Sequence, residues 1–457
     1  MTTEEKEHLS ERLVSNNLAK LRLLTKDVLP EILADIINES KDIDAYKVFQ
    51  VLEPEKAIKT FENLDYKIQN KLLSSFTIEQ LSSTLNKLSP DDRTALFERL
   101  PEKKLQKFLS ILSDEERKVA LSLLKYPENS IGRLMTPDFI SVKEEWTVQQ
   151  VLDYIRLHGK NSETLNMVYV TDHDGYLIDD IRVRQFLLAP LDHHVSELMD
   201  RKFFFLHAKD DQEVAVNIFK QSNRNALPVT DFNGLLLGII TVDDVIDVME
   251  EEDTEDIHKF GGTQALEEPY LNVSLNKLIR KRAGWLVLLF LGEMLTASAM
   301  SYFEDEISKA VVLVLFIPLI ISSGGNSGSQ AATLIVRAMA LREVTLDLWW
   351  KVIKREIVSG FFLGLILGII GFIRIAAWNA YTNIYGEQWL ALAITVSVSL
   401  TCVVMWGTLS GSFMPMVMKR LGFDPAASSA PFVATMVDVT GLVIYFSVAM
   451  LAMRGVM

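Results

Sequence analysis

The chain has 457 residues, 49% of them hydrophobic, a formal net charge of −14 and a single cysteine. That length exceeds one ordinary domain. An acidic chain repels nucleic acid and anionic lipid and attracts cations, and one cysteine, Cys402 in an apolar run, excludes a disulfide framework and a thiol metal site. From Trp285 onward ten basic and ten acidic residues cancel. The whole excess of negative charge therefore belongs to residues 1–284, which read as a soluble region. The opening stretch, MTTEEKEHLSERL, is charged and lacks the apolar centre of a signal peptide.

Residues about 20–125 read as helices with a period of 24: Leu64, Leu88 and Leu112 begin LDYKIQNKLLSSF, LSPDDRTALFERL and LSDEERKVALSLL. Self-similarity at this spacing predicts stacked helix pairs. SPDD and SDEE place Ser ahead of acids, the preferred start of a helix.

Residues about 130–252 hold two similar units. LMTPDFISVKEEWTVQQVLDYI with MVYVTDHDGYLIDDIRVRQFL is echoed by LMDRKFFFLHAKDDQEVAVNIF with ALPVTDFNGLLLGIITVDDVIDVM, and Met135 and Met199 mark equivalent starts. Each unit predicts strand, helix, strand, a DG or NG turn, strand, helix. The duplication resembles a tandem pair of CBS domains. In that family a Thr-x-x-Asp at the last helix start holds an adenosine ribose. Thr241 and Asp244 of TVDD fit it, whereas the first unit has Arg182-Val183-Arg184-Gln185. The resemblance implies one nucleotide site at most; helix capping by Thr241 is the competing reading.

Nine carboxylates and no base lie between Asp243 and Asp256. Asp244 and Asp247 share one helical face, as do Glu252, Glu255 and Asp256. Like charges so close repel unless neutralised, which a hard divalent cation does with carboxylates and retained waters; a solvated linker is the alternative. PYLNVSLNKLIRKRAGW follows, with Leu271, Leu275, Leu278 and Ile279 on one side of a basic helix that runs into the first apolar run.

Five segments are long enough to span a hydrocarbon core, about 285–303, 310–341, 356–378, 389–417 and 428–453. The second and fourth exceed the usual length, so they are expected to tilt, break or extend into water. Lys and Arg in LNKLIRKRAG, RAMALREV, KVIKRE and MKR fall on one side of five spans. YFEDEISK and NAYTNIYGEQW fall on the other and carry few bases. The acidic region is therefore expected to be cytoplasmic, with the C-terminus on the far side. Gly360, Gly364 and Gly368, like Gly407 and Gly411, recur every four residues and predict close helix packing.

Two acids lie deep in apolar sequence, Asp438 in PFVATMVDVTGLVIYF and Glu293 near the middle of the first span. A carboxylate at that depth costs roughly 2.5–3.5 kcal/mol and normally faces water or a partner. No base lies within fourteen positions of Asp438, which points to an ion path. Glu293 fits pore lining and packing equally. ISSGGNSGSQ (Ile321–Gln330) puts small and polar residues inside the second span. Irregular backbone at membrane depth survives only where it lines water or is buried in protein. A broken helix here, offering glycine carbonyls and helix ends to an ion, is the expectation, and Gly324–Gln330 is expected beside Asp438.

Together these features resemble the MgtE family of magnesium channels, and the likeness covers almost the whole chain. Its most specific pieces are PLIISSGGNSGSQAATLIVRA and PFVATMVDVTGLVIY, with YPENSIGRLMTP and DDVIDVMEEEDTEDIHK upstream. The resemblance implies a multidomain protein: an all-α helical-repeat N domain (1–128), α/β tandem CBS domains (129–193 and 194–253), a connecting or plug helix (254–284) and a five-helix α transmembrane pore domain (285–457). It implies a homodimer in the inner membrane with the pore on its two-fold axis, no enzyme activity and no nucleic-acid partner. Asp438 would bind hydrated Mg²⁺ near Gly325, Asn326 and Gly328. Asp91 and Asp92 in the N domain, with Asp244, Asp247, Glu252, Glu255 and Asp256, would take regulatory Mg²⁺ that closes the pore. ATP at the CBS domains is a second ligand in this reading. The chain departs from the family pattern at Ala430, where relatives carry Asn, and at Asn223, where some carry an acid. An ion-coupled Mg²⁺/Co²⁺ carrier is the rival. An intramembrane metalloprotease needs His in its spans, and all seven histidines precede them. An anion channel would need basic groups where Asp438 lies.

Overall fold

The computed structural model describes residues 3–452 except 15–16, 41, 267–269, 272 and 305–310. Asp305, Glu306 and Lys309 of the YFEDEISK loop thus lie outside the described residues. The chain forms two compact units, residues 1–250 and 251–457.

The first unit opens with short helices. The 24-residue period appears in space as the helices Tyr66–Ser75 and Ile78–Lys87, then Pro90–Glu98 and Glu102–Ile111, then Asp114–Leu123. Leu64, Leu88 and Leu112 occupy equivalent corners, each 4–5% exposed. Proline opens Pro54–Glu62 and Pro90–Glu98, where its missing N–H costs nothing. Thr77 and Gln80 cap Ile78–Lys87 reciprocally. Ser113 Oγ accepts from the Glu116 N–H, the cap its sequence predicted.

Two three-stranded sheets follow. In the first, β1 (Ser141–Val142) runs parallel to β2 (Met167–Thr171), which is antiparallel to β3 (Leu177–Arg182). In the second, β4 (Leu206–His207), β5 (Ala226–Thr230) and β6 (Leu236–Thr241) repeat that order. Every residue of β2 and β5 is buried. The hairpin turns need glycine, since Gly175 and Gly234 take φ of +93° and +91°. Before each of them one carboxylate, Asp172 or Asp231, accepts two backbone N–H groups. Bridges Thr136–Ile239 and Tyr176–Leu235 join the two sheets' units.

The helix after β6, Val242–Phe260, is continuous, so the acidic run Asp243–Asp256 is helical throughout. The basic stretch runs into the first apolar run, as the sequence predicts, forming the first turns of Leu275–Tyr302 with Leu271 in the preceding turn; residues 254–284 are not one helix, since Val242–Phe260 ends at Phe260 and the next begins at Leu275.

Among the described residues, five helical segments of the second unit are long and apolar enough to cross a membrane. The first is Leu275–Tyr302. The second joins a 3₁₀ stretch, Val311–Phe316, to an α-helix, Ile317–Ala340. The third, fourth and fifth are Trp349–Thr382, Trp389–Arg420 and Ala430–Ala452. The glycine stripes lie at helix crossings. A Cβ on Gly364 would come within 2.7 Å of the Thr401 Cα and one on Gly368 within 2.8 Å of the Ser397 carbonyl oxygen, so the third helix lies directly on the fourth. Gly407 and Gly411 lie against the carbonyls of Gly324 and Gly328, bringing the second helix onto the fourth.

Candidate functional site

The polar stretch of the second span is not a break. Ile317–Ala340 is α-helical through all of Ser322–Gln330, so its backbone carbonyls inside the helix are taken up by helix hydrogen bonds. The expected interruption occurs earlier, where 3₁₀ gives way to α at Ile317 and Pro318 takes the first turn. Small residues instead make the helix two-faced. Gly324, Gly325, Ser327, Gly328, Ala331 and Ala332 are buried against neighbouring helices. Ser322, Asn326, Gln330, Thr333 and Arg337 are exposed along the other side. These positions follow one another at three- or four-residue spacing, a polar stripe down an apolar helix.

Asp438 sits on the fifth span one turn after Ala434, which packs on Gly325. A Cβ on Gly325 would lie 3.5 Å from the Ala434 Cβ and 3.6 Å from Asp438 Oδ1. Gly325 thus borders the carboxylate at the edge of the stripe, at a distance where a methyl group would make ordinary contact. Gly328 packs on Val433 and Gly407, and Asn326 Nδ2 donates to Ser322 Oγ at 3.4 Å. Asp438 is half-buried and makes no hydrogen bond or ion pair among the described residues. At Ala430 the backbone supplies a polar link: Ser329 Oγ donates to the Ala430 carbonyl at 3.2 Å.

A second concentration of charge lies within the first unit. Asp91 and Asp92 open the helix Pro90–Glu98, and Asp244 and Asp247 lie on the first turns of Val242–Phe260. Burial, then the charges of Asp244, Asp92 and Glu163, push Asp91 well above the usual carboxylate range. Burial raises Asp92 despite the 2.7 Å hydrogen bond from Ser89 Oγ, and Asp247 and Asp243 add to the rise. Asp244 is pushed up to about 6 by burial against the hydrogen bonds it accepts from Thr241. Two acids that the sequence did not single out belong to the same field. Burial and Asp92 raise Glu62 to about 7. Burial, Asp244, Asp243 and Asp92 raise Glu163 to about 7. Neither has a local signature: Glu62 ends an ordinary amphipathic helix and Glu163 lies in a loop. Among the described residues no three His, Cys, Asp or Glu side chains converge into a closed metal shell. A cation here fits as a hydrated one, held through water by several carboxylates.

The remaining expected regulatory acids, Glu252, Glu255 and Asp256, fall in the second unit. Glu255 is held by Lys259, whose Nζ lies 2.6 Å from it and 2.8 Å from Asp424. Burial would lower Lys259, but these two carboxylates hold it well above its usual value. Thr241 Oγ1 donates to Asp244 Oδ2 at 2.6 Å and the Thr241 N–H donates to the same oxygen at 3.3 Å, so the two side chains of the Thr-x-x-Asp pair are joined to one another at the helix start. Asn223 takes a left-handed φ of +50° at a helix C-terminus, a conformation that Asn tolerates better than most residues.

Comparison with known proteins gives three family matches: "Divalent cation transporter" over residues 317–448, "MgtE intracellular N domain" over 28–129, and "CBS domain" over 131–191 and 195–251. A magnesium transporter MgtE of Thermus thermophilus is 34% identical over 98% of each chain. One from Enterococcus faecalis is 33% identical over 74% of this chain and 73% of its own. Among solved structures, the cytosolic domain of the Mg²⁺ channel MgtE in complex with ATP is 29% identical with a TM-score of 0.51. It covers 53% of this chain and 99% of that one.

Proposed function

The chain belongs to the MgtE family of magnesium transporters, and from that premise we propose that it is a Mg²⁺-selective channel closed by cytosolic Mg²⁺. The observation that carries this reading is the polar stripe of the second span beside an unpaired Asp438. Mg²⁺ sheds water reluctantly. A path lined by Ser322, Asn326, Gln330 and Thr333 offers hydrogen bonds to a hydrated ion, and Asp438 supplies the charge. Gly328, where a Cβ would come within 2.9 Å of Val433 and 3.0 Å of the Gly407 carbonyl oxygen, keeps the helices close enough to hold that geometry, with Gly325 beside the carboxylate. Selection then rests on cavity size and carboxylate field rather than on stripping the ion. A potential of 100 mV, inside negative, supplies about 4.6 kcal/mol to a divalent ion, so uptake needs no pump.

The N-terminal unit is proposed to be cytoplasmic, the C-terminus external and the assembly a homodimer with Asp438 of each copy at the axis. Cytosolic Mg²⁺ would screen Asp91, Asp92, Asp244 and Asp247, together with Glu62 and Glu163. The charges of Glu252, Glu255 and Asp256 would be met in the same way, with the ion competing against Lys259 for Glu255. Removing the repulsion favours the compact, closed state, and differential affinity for two states is the one way an ion can shift them.

ATP is a second ligand in this reading, with Thr241 and Asp244 at the ribose. Because Asp244 also belongs to the acidic field, nucleotide and Mg²⁺ binding would be linked there. Thr241→Val should weaken ATP binding to the intact protein in a titration; unchanged binding would remove the nucleotide from this position.

An ion-coupled carrier is the competing function. Mg²⁺ uptake into proteoliposomes, with membrane potential clamped and proton or sodium gradients imposed in turn, separates the two. The channel reading expects uptake set by the Mg²⁺ gradient and voltage alone. Uptake that follows the proton or sodium gradient would establish the carrier.

A further inference from the structure

Glu293 is eleven residues, about 16 Å, beyond Arg282 and nine residues, about 13 Å, before the end of its helix at Tyr302. Against a hydrocarbon core of about 30 Å that is mid-membrane. Its side chain is exposed and makes no hydrogen bond or ion pair among the described residues. A bare carboxylate facing lipid there is unfavourable, so this face meets water or protein.

Packing indicates which. A Cβ on the adjacent Gly292 would lie 3.1 Å from Thr435 Cγ2, so the first and fifth helices are level at that pair. Glu293 is one residue past Gly292, and Asp438 is one turn past Thr435. With a rise of about 1.5 Å per residue the two carboxylates differ in depth by only about 3 Å. Both helices run in the same direction, since Trp285, seven residues before Gly292, donates its Nε1–H to Ser429 Oγ, six residues before Thr435. One flank of their contact is an apolar groove lined by Leu288, Leu289, Gly292, Leu295, Met436 and Val439, among others. Helical phase turns Asp438 to the opposite flank, where Gly325 of the second helix meets it, and Glu293, one turn past Leu289 at the groove's edge, lies about 100° round the first helix from Gly292 towards that flank.

We propose that Glu293 is a second cation-attracting carboxylate of the Asp438 path, setting the concentration at which Mg²⁺ enters it. This rests on the reading of Asp438 as a pore residue. Glu293 lies on a different helix from Asp438 and the polar stripe, so it acts as a fixed negative charge beside the ion's hydration shell and not as an inner ligand.

The test is Mg²⁺ flux against external Mg²⁺ in proteoliposomes holding the intact protein, comparing wild type, Glu293→Gln, Glu293→Asp and Asp438→Asn. Glu293→Gln should raise the half-saturating Mg²⁺ about fivefold, the size of one water-screened charge acting on a divalent ion. Flux at saturation should stay within about twofold of wild type, the sign of lost uniform binding. Glu293→Asp should restore the half-saturation. A dead Asp438→Asn with wild-type half-saturation in Glu293→Gln would overturn this inference alone. A fully active Asp438→Asn would overturn the pore reading beneath it. If Glu293→Gln does not yield folded protein, Glu293→Cys in a Cys402→Ala background gives the answer. Modification by an impermeant anionic methanethiosulfonate, slowed by Mg²⁺, supports the assignment; no modification of the folded protein from either side ends it.

Discussion

A methyl group at Gly411 would sit on the carbonyl oxygen of Gly328, and one at Gly364 on the backbone of Thr401. These contacts are between backbones, so no rotamer change relieves them. Gly411→Ala should cost roughly 1–3 kcal/mol through forced helix separation. A lower melting temperature of the intact protein in detergent would show it, and an unchanged one would contradict the packing. The four-residue spacing made these glycines legible in the sequence, because helix geometry alone brings i and i+4 to one face. Asp438 was legible for a related reason: a charge in an apolar run needs an explanation that the run itself cannot give. Glu62 and Glu163 were not legible. Their raised pKa values come from burial and from acids remote in the chain, Asp92 for Glu62 and Asp244 for Glu163. Glu163→Gln removes one repelling charge. Without Mg²⁺ it should raise the melting temperature of the intact protein by about 2–4 °C per kcal/mol of relieved repulsion. A fall in melting temperature would mean that Glu163 is a stabilising partner instead.

At the scale of elements, the sequence located the second span and its polar stretch but mistook the stretch for a break. Glycine and serine weaken a helix in water; in a packed bundle they let neighbouring backbones approach, and the helix persists. The turn chemistry of the paired sheets, by contrast, was explicit in DG and NG, which require the positive φ found at Gly175 and Gly234. The acidic field across Pro90–Glu98 and Val242–Phe260 has a pH signature. Asp91, Asp92, Asp244, Glu62 and Glu163 all have folded-state pKa values above their ordinary ones. Such groups favour the folded state while protonated; this contribution is complete below the unfolded values near 4 and is lost as pH rises through the folded ones, about 6 for Asp244 and about 7 for Glu62 and Glu163. Mg²⁺ should therefore stabilise the intact protein more at about pH 7.5 than at about pH 5.5, with protons released on binding. Equal stabilisation by Mg²⁺ at both values would argue against these carboxylates as its ligands.

At the scale of the whole molecule, the chain divides its labour by charge. The N-terminal 284 residues carry the entire net −14, and the apolar remainder is neutral. The first part attracts cations and the second carries the helices long and apolar enough to cross a membrane, and the helix Leu275–Tyr302 runs through the boundary between them. The domain order was readable because each region has its own period: 24 residues in the helical repeat, an internal duplication in the sheets, and long apolar runs in the membrane. The most direct test of the central claim is current recorded from the purified protein in a lipid patch while Mg²⁺ is titrated on the side of the N-terminal unit. The account predicts Mg²⁺ current in the wild type that falls as Mg²⁺ on that side rises, and no current in Asp438→Ala. Persistent current in both, indifferent to Mg²⁺, would contradict it.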